Sequence, residues 1–97
     1  MASKHDTTAN RIARKEGTDY NRGQGPDVNT NRRAIEVETA DTVGDGFRQL
    51  RGFKKPVYIA GADADATKAA LESAKGTTVG VMNSRGQVVK SSTRKRR

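Results

Sequence analysis

Cysteine is absent from the sequence. That excludes disulfides, cysteine zinc sites and thiol catalysis, and it fits the cytosol. Tryptophan is absent too, and aromatic residues make up 4% of the chain. Tyr20, Phe47, Phe53 and Tyr58 therefore offer little for stacking on unpaired bases. No apolar run approaches the length of a membrane span. No long amphipathic segment sets a basic face against Trp, Phe and Leu, so a membrane partner is not expected. The opening Met1-Ala2-Ser3-Lys4-His5-Asp6 lacks the apolar region of a secretory signal, and the expected location is intracellular, in the cytoplasm. Apolar residues are scarce at 32%, but they cluster, which argues against disorder throughout.

Positive charge is plentiful. Among 97 residues, 19 Lys and Arg face 11 Asp and Glu, for a net charge of +8. The sequence pI is about 10.3. A chain of this length forms one small domain with a limited core. Its surplus attracts polyanions through phosphate neutralisation and counterion release, so the expected partner is nucleic acid.

Residues 1–6 read as a flexible start. Thr7 or Thr8 can cap a helix to about Glu16, with Gly17 as its stop. Ala9, Ile12, Ala13 and Glu16 share one face of it. Residues 18–26 are polar and glycine-rich, a loop. Asp27-Val28 then begins or flanks a short strand, and Asn29-Thr30-Asn31 has turn chemistry. Residues 34–39 alternate with period two: Ile35 and Val37 point to one face, Glu36 and Glu38 to the other. Asp41 or Thr42 can cap a second helix up to about Arg51, striped by Val43, Phe47 and Leu50 and weakened by Gly44 and Gly46. Residues 56–61 read as a buried strand. Asp63 caps a third helix through Ala74, closed by Lys75-Gly76. Strands follow at 77–82 and 87–90 around a turn at 83–86, and residues 91–97 form a basic tail. The order α-β-β-α-β-α-β-β predicts a single α/β domain over residues 7–90, a mixed sheet flanked by helices.

Three acids belong together in this scheme. A hairpin brings Asp27 beside Glu36 and Glu38, which leave one face of the neighbouring strand. Hard divalent cations take such carboxylates with water and substrate phosphate. An ion so held can polarise a phosphodiester, activate water and stabilise the leaving oxygen. Alternating glutamates on a strand also fit a plain solvated face, and the pattern alone leaves both readings open.

Gly25-Pro26-Asp27, followed by Ile35-Glu36-Val37-Glu38-Thr39, resembles the signature of the PD-(D/E)xK nuclease superfamily, which includes restriction enzymes and Holliday-junction resolvases. The element order over residues 7–82 is similar to its common core. The resemblance implies a restriction-endonuclease-like core and a DNA endonuclease that uses magnesium or manganese. It implies that Asp27, Glu36 and the Val37 carbonyl bind the metal, with Asp27, Glu36 and Glu38 as the catalytic acids. Glu38 stands where the family usually has Lys, and some of its restriction enzymes carry Glu at this place. Glu16, at the end of the first helix, matches an extra acid that members often supply to the metal. Gln49, four residues before Phe53, is similar to a Gln-x-x-x-Tyr element beside the site in some branches. A homodimer would supply two sites and a wider footprint. Glu16 and Gln49 also read simply as helix-surface residues.

The basic residues are expected to hold the backbone of nucleic acid, DNA before RNA. They are Arg22 in the loop, Arg32 and Arg33 at the hairpin turn, Arg48, Arg51, Lys54 and Lys55 after the acidic strand, and Arg94, Lys95, Arg96 and Arg97 in the tail. Such a tail is expected to be mobile until a polyanion orders it. The basic set is expected to surround the acidic pocket, positioning the backbone for the metal's chemistry. Two weaker signals get bland readings. Gly23-Gln24-Gly25 opens no helix after a strand and is a link, and Asp63 with Asp65 is a helix cap rather than a calcium loop. His5 receives no role. The expected function is a small, structure-selective metal-dependent endonuclease. The alternatives are a nucleic-acid-binding protein without catalysis, ribosome-associated proteins among them, or an adaptor for an acidic protein.

Overall fold

The computed structural model describes residues 3–95. Three helices and five strands run in the expected order: α1 Lys4–Lys15, β1 Val28–Asn29, β2 Ala34–Glu38, α2 Val43–Gln49, β3 Val57–Gly61, α3 Ala64–Ala74, β4 Gly80–Met82 and β5 Val88–Lys90. The strands form one sheet in the order β1-β2-β3-β4-β5. β2, β3 and β4 are parallel, and the antiparallel β1 and β5 close its edges. The result is a mixed sheet in a small α/β domain.

Each parallel pair is joined through a helix, and neighbouring strands joined in one hand place their helices on one face. α2 and α3 accordingly cover one side, over a core of Ala34, Val43, Leu50, Val57, Ile59, Ala70, Ala74, Val79 and Val81. α1 covers the other side, over Val28, Ile35, Val37, Tyr58, Ala60 and Met82. The central strands are buried on both faces. Ile35 and Val37 thus pack under α1, while Glu36 and Glu38 point toward α2 and α3, and period two separates the two sets as expected.

Both ends of the described segment, residues 3–95, are fastened further than the sequence signals. α1 begins at Lys4, not at Thr7 or Thr8, because Ser3 Oγ accepts the Asp6 amide at 3.1 Å and caps the helix. Gly17, at φ 77°, stops it as expected. Residues 91–95 are not a free tail. Ser92 Oγ accepts the Val57 amide at 3.2 Å and donates to the Thr78 carbonyl at 2.9 Å. Arg94 Nη1 donates to the carbonyls of Leu50 at 2.7 Å and Phe53 at 3.2 Å, and its Nε donates to Thr78 Oγ1 at 3.1 Å. Arg96 and Arg97 lie outside the described residues.

Strand direction gives the sheet two unlike ends. β2 runs toward Glu38 and β3, parallel to it, runs toward Gly61. Residues that precede these strands, Arg32, Arg33, Lys54 and Lys55, therefore share one end, and Glu38 and Thr39 lie at the other. β5 runs back against β4, so it returns Arg94 and Lys95 to the first end.

Candidate active site

Asp27, Glu36 and Glu38 meet at one open cleft of about 410 Å³, with His5, Thr39, Thr42, Asp45 and Gln49 around them. The register explains the meeting. Val28 pairs with Ile35 across the β1–β2 hairpin, so one step earlier Asp27 faces Glu36. Glu38 follows two residues on along the same face. α2 packs over that face and brings Thr42, Asp45 and Gln49 to the rim.

The acids are held by the backbone. Asp27 Oδ2 accepts the Val37 amide at 2.9 Å, just past the paired part of the edge strand. Glu36 Oε1 accepts the Asp27 amide at 3.1 Å. Each carboxylate thus fixes the other's strand. Glu36 is 2% exposed and Glu38 7%. A solvated acidic face is excluded for this strand. The second Glu36 oxygen, Oε2, is buried without a hydrogen-bond partner. Burial, and next the charge of Asp27, push the Glu36 carboxyl up to about 8. Burial also raises Glu38, against a bond from Thr42 that favours its charged form.

Gly46 makes room for this arrangement. A Cβ there would stand 2.8 Å from Glu38 Cγ and Oε2 and 2.7 Å from Ile59 Cδ1. The glycine that weakens α2 in isolation lets the helix close over the acid.

His5, which carries no sequence signal when the helix is begun at Thr7, sits in the first turn of α1 and reaches Asp27. Its Nε2 lies 3.2 Å from Asp27 Oδ2. Its Nδ1 lies 3.3 Å from the Tyr20 hydroxyl, which donates to Asp6 Oδ1 at 2.9 Å. Burial, then that bond, raise the Tyr20 phenol to about 12, and the same bond lowers Asp6. One available signal was Ser3 three residues before Asp6, the spacing of a capping box with Asp in place of Glu. With the helix begun at Lys4, His5 falls on the stripe of Ala9, Ile12, Ala13 and Glu16.

Glu16 stands elsewhere. Both its oxygens accept from Arg33, through Nε and Nη2 at 2.6 Å each, and its side chain is 7% exposed. The charge beside the end of α1 is a guanidinium, not a metal ion. Arg33 also lies over the Tyr58 ring, 5.6 Å from its centroid. Its bond to Glu16 raises its pKa further. This pair braces α1 to the hairpin and leaves neither residue at the cleft. Val37 is buried under α1.

The basic residues do not ring the acids. Arg22 lies over the Tyr20 ring at 5.1 Å, and Arg48 pairs with Asp45 at 3.0 Å, so these two attend the acidic end. Arg32, Arg51, Lys54, Lys55, Arg94 and Lys95 gather at the opposite end of the sheet. The expectation that the basic set surrounds the pocket is corrected by the parallel run of β2 and β3.

Hard oxygen donors, an unpartnered buried carboxylate oxygen and an open cleft before them fit a hard divalent cation. Among the described residues, no group of three His, Asp or Glu side chains is arranged to hold an ion. That leaves one or two carboxylates with water and substrate oxygens, a set that magnesium accepts. Comparison with protein-family models, curated proteins and solved structures gave no match.

Proposed function

We propose that the chain is a small divalent-metal-dependent nuclease, built on a restriction-endonuclease-like core, that hydrolyses phosphodiester bonds in DNA. The buried Glu36, with an unpartnered oxygen beside Asp27 and Glu38 in an open cleft, carries this reading. Burying carboxylates side by side is costly unless a cation or proton relieves them. Their shared opening to solvent says that the relief can come from outside.

Asp27 and Glu36 would hold magnesium or manganese, which supplies Lewis-acid polarisation of the phosphodiester and an activated water. The chain's own residues do the rest. The Val37 amide fixes the Asp27 carboxylate, and the Asp27 amide fixes Glu36. Burial raises the Glu38 pKa, which makes it a stronger base toward a water than an ordinary carboxylate. Gln49 offers an amide at the rim to orient a water or a phosphate oxygen. The limited footprint of a short chain favours recognition of nucleic-acid structure over long sequences, and a homodimer would extend it.

Two observations favour a second reading, nucleic-acid binding without cleavage. Asp27 and Glu36 already serve as backbone braces, and Glu38 stands where the resembled family carries Lys. Ribosome association or an adaptor role would belong to that reading. Cleavage of labelled duplex, single-stranded and four-way-junction DNA in magnesium or manganese separates the two. Cutting that needs metal and disappears in Asp27→Asn and Glu36→Gln supports the nuclease. Salt-sensitive binding without cutting supports the second reading.

A further inference from the structure

We infer that the end of the sheet opposite the acids is a second binding site, an anchor for the phosphate backbone of nucleic acid that works without the cleft. A groove of about 540 Å³ opens there, lined by Gly52, Phe53, Lys54, Thr78, Thr93, Arg94 and Lys95. The Arg94 guanidinium builds it by tying the C-terminal strand exit to the carbonyls of Leu50 and Phe53 and to Thr78. Lys54 and Lys95 stand exposed on its two walls, and Arg51 is exposed on the loop beside it. Among the described residues, none of these three pairs with a carboxylate. Glu16 is taken by Arg33 and Glu72 by Lys75. The end therefore presents uncompensated cations beside threonine hydroxyls, which suits a chain of phosphates.

A lipid surface fits less well. The exposed large apolar side chains among the described residues are Val88 and Val89, and neither lines the groove. Nucleic acid is preferred to an acidic protein on the phosphodiester chemistry proposed for the cleft, and to that extent the choice of partner rests on that reading. Along the strand axis, the five residues of β2 put roughly 13 Å, or about four base steps of a duplex, between the two ends of the sheet. The anchor thus grips the backbone away from the scissile bond.

Anisotropy of a labelled duplex, titrated in EDTA across a salt series, tests this. The wild type is compared with K54E/K95E and with K68E, the same Lys-to-Glu reversal at one exposed site on α3, with thermal melting to confirm folding. The double variant is expected to bind at least about tenfold more weakly, and its salt slope to fall by about two, near 0.9 for each phosphate no longer neutralised. Binding by K54E/K95E equal to that of K68E overturns the anchor. Loss of binding to phosphatidylserine vesicles or polyglutamate, with DNA binding unchanged, also overturns it and assigns the groove to that partner. Asp27→Asn in the same titration keeps the two proposals apart. If no DNA is ever cut but K54E/K95E loses binding, the anchor stands and the nuclease falls. If DNA is cut and binding ignores both lysines, the reverse holds.

Discussion

The two ends of this sheet handle charge in opposite ways. At the end where β2 and β3 finish, Glu36 and Glu38 are buried, and backbone amides fix Asp27 and Glu36. At the other end, cations are exposed and numerous, and those that bind no structural partner stay in water. A buried charge without compensation is expensive, so the acids mark a place that a cation or proton must complete. An exposed lysine costs the fold almost nothing, and such residues act by addition along a polyanion. Arg33 and Arg94 show the third use of charge, as braces that hold the ends in place.

The contrast is tested most directly by damaging the acidic end alone. Asp27→Asn is expected to reduce metal-dependent cleavage at least about a hundredfold, since even outer partners of metal ligands cost roughly 10–100-fold. DNA affinity in EDTA should stay within about twofold. Equal loss of both would show that the ends do not work separately.

The pH dependence of stability probes the same end. Glu36 titrates near 8 in the folded chain against an ordinary 4.5. Below 4.5 it is protonated both folded and unfolded, and contributes no slope. Between 4.5 and about 8 the unfolded chain releases the proton while the folded one keeps it, so stability falls as pH rises. Denaturant titrations should show a loss on the order of a few kcal/mol across that window. Glu36→Gln should flatten it, and magnesium should restore the wild type at the upper end of the window by binding the folded form. A wild type with no such slope would remove the case for a strained, buried Glu36.

Arg33→Ala separates braces from binders. It leaves the Glu16 carboxylate buried and unpaired and should cost about 2 kcal/mol in urea unfolding. Lys54→Ala should change stability by less than about 0.5 kcal/mol. The two glycines of α2 give effects of opposite sign. A methyl at Gly44 meets nothing within 4 Å, so Gly44→Ala should stabilise by up to about 1 kcal/mol through helix propensity. Gly46→Ala drives a methyl into Glu38 and Ile59 and should destabilise by about 1 kcal/mol or more, despite the same propensity gain. Opposite signs in thermal melting would tie α2 to the acidic cleft.

Much of the local structure was legible in the residues. Period two put Glu36 and Glu38 on the face opposite Ile35 and Val37, and Asp63 capped α3, accepting the Ala66 amide at 2.8 Å. The hairpin reading also placed Asp27 beside Glu36. His5 carries no local signal unless Ser3 is taken as the cap, because only then does the first turn exist that brings the imidazole to Asp27. Glu16 resembles a metal ligand in the sequence because its partner, Arg33, lies 17 residues away and becomes a neighbour only when α1 folds across the hairpin.

The kinds of elements, their order and the alternation of side chains belong to the sequence, because they follow from steric preferences and periodicities that act over a few residues. Tertiary packing alone buries the glutamates, divides the basic residues from the acids and ties down residues 91–95. Burial depends on which helix lies over a face. The separation of charges depends on β2 and β3 running in parallel. Arg94 reaches carbonyls that are 41 and 44 residues away. Such pairings are set by how distant segments pack and lose water together, and no local pattern records them.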